Sequence, residues 1–178
     1  MKNTLKMMAF ALLAFGMFAC GGKQLTEADL KEAEKTLFNE DHSLNEAVAP
    51  QVAEKYCQFV KQNPDDPTAP SWLFRAIEIN WALKNDEKCV QLCNQLVDDY
   101  PSSNWAPGTL MYLGSYVCED HLNDTAQAHK AYQKLIDNYP NDPLAKDAQV
   151  LIDCLGLTDE EKLIKIQMSK MEVDEGEW

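Results

Sequence analysis

The sequence predicts an all-α chain, a solenoid of about three to four antiparallel helix pairs. Three observations predict it. First, proline-marked stops recur at Asn63-Pro64-Asp65-Asp66-Pro67, Tyr100-Pro101-Ser102-Ser103 and Tyr139-Pro140-Asn141-Asp142-Pro143, with Pro64, Pro101 and Pro140 separated by 37 and 39 residues. Second, apolar residues between the stops recur at offsets of 3 and 4, the mark of one buried helical face, and no run sustains strand alternation. Third, proline and glycine fall mainly between the periodic stretches, where proline ends a helix that it cannot continue.

The expected helices span 27–39, 44–62, 68–84, 86–99, 104–120, 124–138, 143–155 and 159–171. Capping-box patterns open three of them: Thr26-x-x-Asp29, Ser43-x-x-Glu46 and Thr158-x-x-Glu161. The helices before Pro64, Pro101 and Pro140 carry one shared face at 12, 8 and 5 residues upstream. Those positions hold Val52, Tyr56 and Phe59, then Cys89, Cys93 and Leu96, then Ala128, Tyr132 and Leu135. A small residue at the first position lets a neighbouring helix approach, and the next fills the gap beside it.

The preceding helix of each pair carries a second pattern, a small residue flanked by apolar ones. Leu110-x-x-Leu113-Gly114-x-x-Val117 is its best copy. Trp72-x-x-Arg75-Ala76-x-x-Ile79 and Leu144-x-x-Asp147-Ala148-x-x-Leu151 follow with departures. The first helix fits worst: Leu30, Ala33 and Leu37 are apolar, but Glu34 stands at the small position.

Together these positions resemble the tetratricopeptide repeat, with its W-x2-L-G-x2-Y, A-x3-F and P signature. The resemblance runs from about Thr26 to Met171, and its best copy is Leu110 to Pro140. The spacing here exceeds the family's usual repeat of about 34 residues. The Tyr-Pro-Asn-Asp-Pro-x-Ala stretch is similar to exported members that work as envelope adaptors, including the periplasmic partner of the Tol-Pal system and the lipoprotein of the outer-membrane β-barrel assembly machine. In this family the first helix of each pair lines a groove. Carried over by position, that groove would show Leu73, Ile77, Asn80 and Trp81, then Met111, Ser115 and Cys118, then Ala145, Gln149 and Ile152.

The front of the chain reads as a targeting segment. Lys2 and Lys6 precede an uncharged, mostly apolar run from Met7 to Phe18, too short for the roughly 20 apolar residues of a membrane span. Met17-Phe18-Ala19-Cys20-Gly21 resembles the lipobox of bacterial lipoproteins, with Met17 where Leu is preferred. That resemblance implies cleavage before Cys20 and a lipid on Cys20. The expected organisation is a signal peptide at 1–19, a lipidated tether at 20–25, a repeat domain at 26–171 and a disordered acidic tail at 172–178. An absent Asp at Gly21 points to the outer membrane.

Removing Lys2 and Lys6 moves the net charge from −13 to −15. Such a surface repels phosphate backbones, which argues against nucleic acid as a partner. Cys57, Cys89, Cys93, Cys118 and Cys154 remain after Cys20. Cys89, Cys93 and Cys118 allow three readings: a zinc or redox site, a Cys89–Cys118 disulfide, or small residues at packing positions. His42, His121 and His129 lack metal-binding spacing, no phosphate-cradling glycine loop occurs, and the acidic turns lack calcium-loop spacing. The expected function is a lipid-anchored envelope scaffold that binds protein or peptide partners, with no cofactor, metal or catalytic residue. The alternatives are a redox or metal protein using Cys89, Cys93 and Cys118, and a surface accessory for glycan or nutrient capture.

Overall fold

The structure, a computed structural model, describes residues 24–175, with side chains described as far as Met168. Cys20, the targeting segment and Trp178 lie outside the described residues. The described chain is helical throughout, in the order α1 Glu27–Glu34, α2 Ala49–Gln62, α3 Ala69–Ala82, α4 Asp86–Asp99, α5 Trp105–Tyr112, α6 Thr125–Asn138, α7 Pro143–Cys154 and α8 Asp159–Glu175. A π-helical stretch, Leu113–His121, continues α5 without a break.

Consecutive helices pack against each other along the whole series, while α3 also touches α5 and α5 touches α7. That regular piling makes the chain an all-α, tetratricopeptide-like solenoid. Its core is the shared face read from the stops. Val52, Tyr56, Phe59, Cys89, Cys93, Leu96, Ala128, Tyr132 and Leu135 are all buried. Removing a side chain such as Leu96 or Leu135 from water contributes about 1.5–3 kcal/mol each.

The first pair departs from expectation. α1 opens on its capping box, with the Asp29 carboxylate accepting the Thr26 N–H at 2.9 Å, but it ends at Glu34 and not at 39. Glu34 sits where the other pairs have alanine or glycine, and a carboxylate cannot fill that apolar contact. Residues 35–48 form a loop, and α2 starts at Ala49 where 44 was expected, with Pro50 in its first turn. Ser43 caps no helix. Its N–H and hydroxyl both bond the Asp41 carboxylate, at 3.0 and 2.6 Å, in a tight turn that holds His42 at φ 65°. Phe38 and Leu44 close this turn with an isolated antiparallel bridge.

Two further differences concern helix ends. α8 runs to Glu175, so residues 172–175 are helical and not tail. No residue from Glu172 to Glu175 is Gly or Pro, and nothing in that run stops a helix. The fifth expected helix is present over nearly its whole length, but half of it is wound as π-helix.

At the centre of the third pair, Gly114 faces the ring of Tyr132 so closely that a Cβ there would lie 2.3 Å from the ring edge. The Tyr132 hydroxyl donates to the Glu119 carboxylate at 2.6 Å and lies 2.9 Å from the Ser115 hydroxyl. Lys162 of α8 reaches the other Glu119 oxygen at 3.2 Å, fastening the last helix to this centre. Gly114→Ala is expected to lower unfolding free energy by about 2–3 kcal/mol through overpacking, as measured by urea denaturation.

Candidate partner-binding surface

The predicted groove residues divide into two groups. Leu73 and Ile77 have no exposed surface, and Cys118, Ala145 and Asn80 are buried as well. These five are packed inward and offer little or no surface in the folded state, which corrects their placement as groove-lining side chains. Asn80 has a structural task. Its side-chain amide donates to the Ala76 carbonyl at 2.7 Å and its oxygen accepts from Asn85 at 3.0 Å, clasping the turn into α4 where Lys84 is left-handed. Trp81, Met111, Ser115 and Ile152 are half-buried, and Gln149 is exposed.

What the seam between α3 and α5 presents is a ladder of rings. Trp105 lies 5.1 Å from Phe74, and Phe74 lies 5.5 Å from Tyr112, centroid to centroid. Tyr112 continues to Tyr116 at 5.1 Å and to Trp81 at 6.3 Å. Trp81 stacks on His121 at 5.0 Å, with the ring planes 9° apart. These distances fall within the range where aromatic pairs attract. Trp105 is 41% exposed and Tyr116 is 48% exposed, while Phe74, Trp81 and Tyr112 show one edge.

Local structure sets this ladder. Phe74 and Trp81 are seven apart on α3, and Trp105 and Tyr112 are seven apart on α5, so each pair returns to one face. The Trp81 indole N–H donates to the Tyr116 carbonyl at 3.2 Å, a contact made on the π-helical stretch. His121 Nδ1 donates to the Asp86 carboxylate at 2.6 Å, pinning the end of that stretch to α4. Of the ladder, the repeat alignment named only Trp81. The seven-residue aromatic spacing in two adjacent helices was the signal that could have identified the rest. Glu78 lies on the same helix between Phe74 and Trp81, and partial burial raises its carboxyl above the usual range while Arg75 opposes the rise.

The cysteines read as packing. All five described cysteines are free thiols, and only Cys57 is more than slightly accessible. Cys89, Cys93 and Cys118 come together in the core without a disulfide. Burial pushes the Cys89 thiol up to about 12, with Asp86 adding to the rise. Burial likewise pushes Cys118 up to about 11, with Asp124 and Glu119 adding to it. Thiols held protonated are weak nucleophiles. Among the described residues no group of three or more His, Cys, Asp or Glu side chains could hold a metal ion. No described helix is long and apolar enough to cross a membrane.

With the geometry in place, comparison with known proteins adds one finding. The tetratricopeptide repeat family model matches residues 73–103 and 110–142, the second and third pairs. Such repeats support a general role in protein–protein interaction. No curated protein matches the chain.

The raised thiols set a pH dependence. The folded state keeps Cys89 protonated up to about 12, while the unfolded chain releases that proton near the ordinary value of 9.0. The folded state therefore binds more protons across that window, and its stability falls as pH rises through it. Denaturation midpoints measured across this range are expected to decline, and the decline is expected to be shallower in Cys89→Ala.

Proposed function

We propose that this chain is a lipid-anchored scaffold of the bacterial envelope, which gathers a protein partner along the aromatic ladder of α3 and α5. The ladder is the observation that carries the reading. Large rings with exposed edges offer contact area at low conformational cost, and they dominate binding energy at protein interfaces. Phe74, Trp81, Tyr112 and Tyr116 lie within the two matched repeats, and Trp105 lies between them. The net charge of the chain, −13 and moved to −15 once Lys2 and Lys6 are removed, favours a partner segment with basic residues.

The envelope part of the reading rests on sequence. Lys2 and Lys6, the apolar run to Phe18 and the Ala19-Cys20 junction support export and lipid attachment at Cys20. The lipid would hold the platform at the outer membrane. A partner already confined to the same compartment then meets it at raised effective concentration, without any extra contact. The work of the protein is presentation, and no reaction is required of it.

Crosslinking in intact cells followed by capture of the protein tests both parts. Trp105→Ala and Tyr116→Ala remove exposed rings with little effect on folding, and each is expected to weaken partner recovery by about tenfold. Cys20→Ser is expected to move the protein from the membrane fraction to the soluble fraction. Unchanged recovery from the ladder variants would remove this surface as the docking site. Recovery of a small molecule with no protein would defeat the scaffold reading itself.

A further inference from the structure

The turns that close the first and second helix pairs line one cleft of about 540 Å³. Pro64, Pro67 and the exposed ring of Trp105 supply apolar lining, and Asp65, Asp99 and the half-buried Tyr100 supply polar lining. No lysine, arginine or histidine lines it. A third carboxylate there, Asp66, is already engaged, accepting the Thr68 N–H at 2.8 Å and the Thr68 hydroxyl at 2.6 Å. The Asp65 and Asp99 carboxylates are exposed and have no ion pair or hydrogen bond among the described residues. Asp99 also ends α4, a helix with no basic residue in its last turn, so its charge adds to the partial negative charge of the terminal carbonyls. Burial raises the Tyr100 hydroxyl above its ordinary range, with Asp99 and Asp65 adding to the rise. Both carboxylates therefore act on one ring of the lining.

The next cleft along the solenoid carries its own cation. Asp98, Asp137 and Lys134 line it, and Lys134 pairs with Asp98 at 2.9 Å. Tyr139, also in that lining, donates its hydroxyl proton to the Pro101 carbonyl at 2.9 Å. Tyr100 precedes its proline just as Tyr139 does, but its hydroxyl makes no hydrogen bond among the described residues. Gln95 stands where the third pair has Lys134, each six residues before its proline. The first cleft thus holds the acid without either closure.

We propose that this cleft receives a lysine or arginine side chain of the protein partner that docks on the ladder, a cation brought from outside where the next cleft uses Lys134. The inference deepens the scaffold reading and rests on it. The aliphatic stem of such a side chain suits the prolines, and its cation suits Asp65, Asp99 and the end of α4. The face of Trp105 adds a further attraction for a cation. Trp105 is also a rung of the ladder, 5.1 Å from Phe74, so one partner segment can span rings and cleft without a gap.

NMR titration of the purified full-length protein with a short capped peptide, one arginine flanked by serine and leucine, tests the assignment. The Trp105 indole N–H and the Asp65 and Asp99 amides are expected to shift and saturate. Replacing the arginine by citrulline, which keeps the shape and removes the charge, is expected to weaken binding by about fivefold, the upper end for an exposed ion pair. Asp65→Asn combined with Asp99→Asn is expected to weaken it similarly, without lowering the thermal midpoint, because a carboxylate at a helix C-terminus does not stabilise the helix. Equal binding of the citrulline peptide, or unchanged affinity in the double variant, would overturn the proposal. Capture of a protein in intact cells with no shift at Trp105, Asp65 and Asp99 would defeat the cleft and leave the scaffold reading standing. Saturable shifts at the cleft with no protein captured would uphold the cation site and defeat the scaffold.

Discussion

The structure depends on one packing constraint, a bulky residue of one helix seated against a small residue of its partner. Gly114 and Tyr132 show it at closest range, since the ring occupies the space that any side chain would need. Ala76 and Ala148 stand at the same position in the neighbouring pairs, and both are fully buried. Close approach brings the two helices of each pair together, and it also orients the faces that meet the next pair. Repetition then follows without further instruction, because each hairpin leaves an apolar face that only another hairpin covers.

The same constraint explains where the chain departs from regularity. A carboxylate at Glu34 cannot occupy the small position, so α1 stops there and the next fourteen residues form a loop that closes on itself through Asp41 and Ser43. In the third pair, the π-helical stretch accompanies the closest contact and carries Tyr116, Glu119 and His121. Each has a separate partner: the Trp81 indole, the Tyr132 hydroxyl and the Asp86 carboxylate. π-helical turns occur disproportionately at functional sites, and this one supplies an exposed rung of the aromatic ladder.

The core was legible in the sequence because it obeys a period. Nine positions aligned on three prolines are nine buried side chains. The middle helix ends were legible for the same reason, α4 matching its expected span residue for residue and α6 starting one residue later than expected, at Thr125. The surface was less legible, because a repeat alignment reports which helix faces a groove but not the rotation of each side chain about it. Leu73 and Ile77 aligned with groove positions yet turned inward, while Phe74, one residue on, turned outward. The loop at 35–48 was hidden by a local ambiguity. Ser43-x-x-Glu46 satisfies the rule for a helix start, but Asp41 two residues earlier competes for the same N–H and hydroxyl and wins.

Charge and packing divide the labour in this molecule. The pairs Lys31–Glu27, Lys35–Glu32 and Lys134–Asp98 are exposed to solvent, where screening leaves them too weak to hold a solenoid together. The buried face carries most of that load, while a few carboxylates, Glu119, Asp86 and Asp41 among them, fasten helix ends and turns. An excess of acid that is not needed for stability still acts at a distance: it repels anionic partners, draws basic ones toward the platform and speeds their encounter. On the proposed reading, selection of a partner would be a property of the field around the repeats and its retention a property of the rings on α3 and α5. The two can be altered separately, since Glu78 lies between Phe74 and Trp81 on one helix without taking part in the core.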